Sequence, residues 1–314
     1  MSLQIKQAPT PGKNVLKKRV SDRIIKLISR AEGRVFMKNL CNLKGSISRF
    51  FLSVGIVGVS LVLLSCATVP VTGRSSLHIL PDSEVTSMSF QQYSEVLKKS
   101  KLSNDAGKVQ MVRRVGTRIA RASEEFMREA GMESEIKNYQ WEFNVIQDDK
   151  TVNAWCMPGG KVGVYTGIIP VARDETGLAV VMGHEVAHAI AKHGNERMSQ
   201  GLLAQLGAVG LSVALSTEPG LTNDIFMAAY GVGTNVGILL PYSRIHESEA
   251  DRIGLSLMAR AGYDPRAAVP FWRRMNEKGG SRPPEFLSTH PAPETRIKQI
   301  DALIPEAMKY YRPR

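Results

Sequence analysis

Cysteine is nearly absent: the 314 residues include only Cys41, Cys66 and Cys156. So few thiols exclude a disulfide-stapled framework, and the fold must be held by packing. Aromatics are scarce as well, at 6% of residues, and no basic stretch is interleaved with them, which sets a nucleic-acid groove aside. The shortage of acids behind the formal net charge of +12 is confined to one end. Residues 1–50 hold twelve Lys and Arg against Asp22 and Glu32, whereas the remainder holds 29 basic and 27 acidic residues. The body is therefore close to neutral, with charges interspersed as on a solvated surface. Also missing is an apolar run of bilayer-spanning length, which takes about 20 residues. The apolar run Phe50–Leu64 has fifteen.

Fifteen residues suit the core of a signal peptide. Leu63-Leu64-Ser65-Cys66 follows, and it resembles the bacterial lipobox, in which a small residue precedes a cysteine that becomes N-terminal and lipidated. Residues 1–65 are thus expected to be a leader. A start at Met37 would give it the ordinary basic opening MKNLCNLKGSISR and make the first 36 residues a start-site artefact. Residues 66–80 are expected to be a lipidated tether, and Ala67 is compatible with sorting to the outer membrane. An uncleaved signal anchor is the competing reading. Cys41 leaves with the leader and Cys66 carries lipid, so Cys156 remains, read as a small buried residue rather than a soft metal donor.

Residues 81–314 read as one α+β, predominantly helical domain. Pro81-Asp82-Ser83-Glu84 looks like a helix start, and helical patterns run to about Lys101 and again from Asp105 to Ala130, closed by Gly131. Trp141–Asp149 alternates like a strand, and two strand-like pieces flank a turn at Pro158-Gly159-Gly160. Asp174 is placed to cap a helix running to Gly194. Apolar stretches Gly201–Leu215 and Ile225–Leu240 are expected to be buried or amphipathic helices, with peripheral membrane contact as the lesser reading. Further helices are expected over about Ser243 to Ala261, after Asp264-Pro265 and after STHPAPETR.

GHEVAHAIAKHG, residues 183–194, carries the chemistry. In a helix His184 and His188 lie one turn apart on one face, so both imidazoles can reach a single ion. Neutral imidazole is a good zinc ligand, and a catalytic zinc keeps three protein ligands and an open position. Glu185, on the neighbouring edge, is positioned to act as a general base without ligating. A third ligand is available in RIHESEADRIG, where Glu247 and Asp251 lie four apart on one helical face and Glu249 points elsewhere. One of these two carboxylates would bind the ion. The other would take the free N–H of a ligand histidine. His193 is read as a helix-end or supporting residue, and His246 and His78 as surface residues.

HEVAH, then ESEAD some sixty residues later, then STHPAPETRI resembles the zinc metallopeptidase family that includes HtpX, BepA and the CAAX prenyl endopeptidases (metallopeptidase family forty-eight). The resemblance covers about residues 70–303. It implies a zincin, gluzincin-like fold with a small sheet beside the active-site helix. It also implies one zinc ion held by His184, His188 and Glu247, with Glu185 as base and Asp251 behind the ligands. The stretch NAWCMPGGKVGVYTG is similar to the family's strand beside the active site, so Asn153 and Ala154 are expected to lie along an extended substrate. The transmembrane helices and helical-repeat tail of some members are not evident. The likeness is therefore to short, lipobox-bearing members, which implies the periplasmic side of an envelope.

These parts imply a zinc-dependent endopeptidase acting on unfolded or misassembled proteins, because main-chain strand addition along residues 152–157 supplies binding that ignores sequence. His290 and Arg296 are candidate donors to the developing oxyanion. His290 alternatively occupies the ion's open position and holds the enzyme latent. The rival function is a lipid-anchored chaperone or assembly factor with a structural or latent zinc. A different metal hydrolase, such as an aminopeptidase, is the lesser rival.

Overall fold

The structure is a computed structural model that describes residues 66–203, 219–230, 243–279 and 285–313. The expected leader lies outside the described residues, as do most of the two apolar stretches; Leu202, Ile225 and Phe226, at their described ends, are buried.

The chain enters as a hairpin, β1 (Cys66–Thr68) against β2 (Ser75–Leu77), antiparallel with Cys66 opposite Leu77. The segment read as a tether is therefore folded against the domain. Val69 is buried, and the guanidinium of Arg74 pairs with Glu196 and Glu249. Helix α1 (Asp82–Lys99) buries Val85, Ser89 and Tyr93, one residue per turn, and has acids in its first turn and lysines in its last, matching the helix dipole. Helix α2 (Ala106–Glu129) is capped by Asp105, whose side chain accepts the Lys108 N–H.

Three strands follow: β3 (Glu142–Ile146), β4 (Ala154–Met157) and β5 (Lys161–Tyr165), in the order β3-β5-β4. β3 runs parallel and β4 antiparallel to β5. The β4–β5 turn needs Gly159 and Gly160, both at positive φ (76° and 80°), where other residues are strained. β4 is thereby an edge strand, packed on helix α3 (Glu175–Ile190).

Helix α3 carries the HEVAH motif and is buried from Gly177 to Ile190, as a helix apolar on all sides must be. Asp174 caps it as expected, accepting the Gly177 N–H at 2.9 Å. It does not run on to Gly194. Lys192 adopts φ 57°, its ammonium held by Asp82 (2.6 Å) and Glu135 (2.8 Å), and this ends the helical ladder. A new helix α4 (193–203) begins at His193, followed by α5 (Pro219–Ala229).

Helix α6 (Arg244–Arg260) starts at Ser243, whose hydroxyl accepts the His246 N–H, and it crosses α3 at Gly183 and Gly254. Helices α7 (Ala268–Gly279), α8 (Glu285–Thr289) and α9 (Glu294–Met308) complete the fold, with α9 packed along α6. The predominantly helical architecture with a small sheet beside the motif helix matches the sequence reading. Among the described residues no helix is long and apolar enough to cross a membrane.

Candidate metal centre

The crossing of α3 and α6 brings the two motifs together. His184 Nε2 lies 3.0 Å from His188 Nε2, and Glu247 Oε1 lies 3.4 Å from His188 Nε2. The loop after α8 adds His290, with Nδ1 at 3.3 Å from His184 Nε2 and 2.9 Å from Glu247 Oε1. All four residues are buried, and their ligand atoms lie within 4.8 Å of one another. Zinc–nitrogen bonds of about 2.0–2.1 Å place tetrahedral ligands about 3.3–3.4 Å apart. The observed spacings cluster around that value.

The cluster is strongly coupled electrostatically. Burial works against a charged His184 ring, yet Asp251 and Glu247 outweigh it and raise His184 to about 9. Burial would push the Glu247 carboxyl up, but His290, Arg296 and the ligand histidines hold it well below the usual carboxylate range. His188 and His290 are lowered by burial, the latter to about 4, so they favour the neutral form that ligates a metal. Burial pushes Glu185 up to about 8. Its Oε1 makes no hydrogen bond, and His290 Nε2 stands 3.5 Å away. The donor set, its spacing and this orphaned oxygen fit a zinc ion with Glu185 beside it.

Asp251 sits behind the ligands with Oδ1 3.1 Å from His184 Nδ1, an ion-pair distance on the side of the ring away from the centre. Arg296, expected to be an oxyanion donor, has its guanidinium bonded to several groups here. Nε and Nη2 each donate to Asp251 at 2.8 Å, Nη1 contacts Glu247 and the Pro291 carbonyl, and the group stacks over Trp272 at 4.2 Å. It braces the two acids at the margin of the ligand cluster, with Nη2 also 3.5 Å from His184 Nε2. His290 stands in the fourth position around the centre, the latent alternative of the sequence reading.

Asn153, expected along an extended substrate, immediately precedes β4, and Ala154 opens that strand. The Asn153 carbonyl accepts the Tyr165 N–H on the β5 side, so Val152 and Ala154 turn their backbone groups to the free edge. There the Ala154 N–H is taken by Asn153 Oδ1, and the Val152 carbonyl by the Phe286 N–H of α8 at 3.3 Å. Cys156 is buried as expected, and burial pushes its thiol well above the ordinary range. Cys66 is placed only as the first residue of β1.

Two histidine readings are corrected. His246 is buried, not on the surface: Nε2 meets Glu196 Oε2 at 3.0 Å and its ring stacks on His193. His78 is half-buried, bonded to Ser76 and capped by Asp82, because the hairpin carrying it is docked rather than free. Glu249 does point away from the cluster. It is buried, however, and receives His193, Arg74 and Thr72. The sequence reading gave it no role. The signal available was two acids two residues apart, which a helix sends to nearly opposite sides.

Comparison with known proteins agrees with this geometry. Peptidase family M48 matches residues 114–304. The chain belongs to that family of zinc metallopeptidases. It is 41% identical over 176 residues to the mitochondrial metalloendopeptidase OMA1 of Schizosaccharomyces pombe, covering 55% of this chain and 50% of that protein. It is 31% identical over 268 residues to bovine metalloendopeptidase OMA1, covering 82% of this chain and 49% of the relative. The beta-barrel assembly-enhancing protease of Escherichia coli is 32% identical over 161 residues, covering 49% of this chain and 32% of that protein. The chain thus spans about half the length, or less, of these curated relatives. The M48 match contains both histidines, Glu185, Glu247, Asp251, His290 and Arg296.

Proposed function

We propose that this chain is a zinc-dependent endopeptidase of the bacterial envelope that cleaves unfolded or misassembled proteins and rests in a latent state. The observation that carries the reading is Glu185, a buried carboxylate with an oxygen left without a hydrogen bond beside a four-ligand cluster. A bound zinc supplies Lewis acidity and lowers the pKa of water toward neutrality. His184, His188 and Glu247 hold the ion; Asp251 and Arg296 keep the ligands aimed; Glu185 takes and returns the proton. The β4 edge at Val152 and Ala154 receives an extended chain by main-chain hydrogen bonds, which suits substrates lacking a fixed sequence.

The resemblance to a beta-barrel assembly-enhancing protease supports an envelope role, with the chain on the periplasmic side, lipidated at Cys66 and attached to the outer membrane. The OMA1 relatives, mitochondrial by name, are named as metalloendopeptidases, which supports the peptidase chemistry. Mass spectrometry of the mature protein tests the anchor: an intact, unlipidated Cys66 removes it. The second reading, an assembly factor with a structural zinc, draws on the closure of the cluster by His290. A structural site, however, has no use for the orphaned Glu185. Comparing zinc content and casein cleavage of wild type and Glu185→Gln separates the two. Retained zinc with cleavage lowered by ~10²-fold or more supports the peptidase. Equal cleavage by both rejects Glu185 as base.

A further inference from the structure

A metal-bound imidazole needs its second nitrogen held by a partner, which fixes the tautomer and the ring orientation. For His184 that partner is Asp251. For His188 it is another histidine: His188 Nδ1 meets His193 Nδ1 at 2.9 Å, and His193 Nε2 meets Glu249 Oε2 at 2.9 Å. With Nε2 of His188 directed at the metal, its Nδ1 carries the proton and donates to His193 Nδ1. His193 must then carry its own proton on Nε2 and donate it to Glu249. The carboxylate of Glu249 thereby selects the tautomer of a residue two hydrogen bonds away.

What positions Glu249 comes from the other end of the chain. Arg74, in the turn of the N-terminal hairpin, donates Nε to Glu249 Oε1 and Nη2 to Oε2, both at 3.0 Å, and Thr72 Oγ1 adds a bond of 2.7 Å to Oε1. The same guanidinium holds Glu196 through Nη1 (2.9 Å) and Nη2 (2.8 Å). Glu196 in turn receives His246, whose ring is stacked on His193 with centroids 4.6 Å apart. Arg74 therefore fixes His193 twice, through its hydrogen-bond acceptor and through the ring that covers its face. The turn is itself strained: Val71, β-branched and exposed, sits at φ 72° between residues that are tied down.

We infer that the Thr72–Arg74 turn is a positioning element of the metal centre, acting through Glu249 and His193 on the orientation of ligand His188. The inference rests on the reading of the cluster as a zinc site, and it is independent of which substrate is cleaved. It makes the N-terminal hairpin part of the active centre's scaffold, although the hairpin contributes no ligand.

The test uses the full mature chain with zinc and with cobalt(II) as a spectroscopic substitute. Arg74→Gln and His193→Phe are compared with wild type and with Arg252→Gln, a control that breaks the half-exposed Arg252–Glu306 pair on the same α6 helix. Arg74→Gln and His193→Phe are expected to raise the zinc dissociation constant ~10–100-fold and to shift the cobalt(II) absorption bands. They should lower kcat more than they change KM. Arg252→Gln should move neither binding nor spectrum. Arg74→Lys, which keeps the charge but not the fork, should fall between wild type and Arg74→Gln. Thr72→Ala carries the same test, with a smaller displacement, if Arg74→Gln fails to fold. A folded Arg74→Gln or Thr72→Ala with wild-type zinc affinity and an unshifted cobalt spectrum overturns the inference and leaves the peptidase reading standing. A wild-type chain that binds neither metal overturns both.

Discussion

Gly183 and Gly254 stand back to back where α3 crosses α6, and a methyl group on either would sit 3.0 Å from the other's backbone. This approach brings Glu247 and Asp251 of one helix against His184 and His188 of the other. Gly254→Ala should therefore destabilise the protein by about 1–3 kcal/mol through overpacking. It should also weaken zinc binding, because the two helices that share the ligands are wedged apart. Thermal unfolding and zinc titration measure the two effects. A lowered melting temperature with unchanged zinc affinity would detach the crossing distance from the geometry of the centre.

His290 is the one ligand supplied by a loop, and His184, His188 and Glu247 complete a three-ligand site without it. His290→Ala should keep zinc at equimolar content, with weaker affinity, and should raise basal casein cleavage by vacating the fourth position. A fall in cleavage with zinc retained would return His290 to the role of a transition-state donor.

Arg296 neutralises two buried acids at once. Arg296→Gln strands Asp251 and Glu247 and should cost about 3–5 kcal/mol in the zinc-free protein. The cost should be smaller with zinc bound, since an ion held by Glu247 would share in its neutralisation. Urea unfolding with and without zinc reads the difference. Equal losses in both states would show that zinc takes no share in neutralising these acids.

Glu196 links stability to acid. Burial would raise its carboxyl, but His246 and Arg74 bring it down to about 2. An unfolded glutamate titrates near about 4.3. Because the folded value is the lower one, the stabilisation is present above that pH and is lost as pH falls toward 2. Glu196→Gln should be less stable than wild type at pH 7, and the gap should close between about pH 4.5 and 2. A gap that persists at pH 2 would exclude ionisation as its source.

How much of this was legible depended on whether a residue acts through local spacing. His184, Glu185 and His188 are set by one helical period, and Glu247 with Asp251 by another, so both halves of the centre stood in the sequence. Asp174 capping and the Gly159-Gly160 turn were legible for the same reason. The end of α3 was not: Lys192 leaves helical geometry at φ 57° and its ammonium pairs with Asp82 and Glu135, residues more than fifty positions away. That break decides where His193 goes, and with it the burial of His246 and the role of Glu249. Arg74 lay beyond sequence reasoning altogether: its partners are more than 120 residues away, and an isolated arginine in a Thr- and Ser-rich stretch carries no periodic signal.

Phe286 and His290 are separated by one turn of chain, with the Phe286 N–H on the β4 edge and the His290 ring in the ligand cluster, their rings stacked at 4.5 Å. This one segment therefore covers the β4 edge and closes the histidine–carboxylate cluster at the same time. Small chelating inhibitors must then compete with a tethered imidazole for every encounter and will bind this enzyme weakly. A chelator built onto an extended peptide would compete for the β4 edge with one end and for the ligand cluster with the other, so its two halves should be far stronger joined than apart.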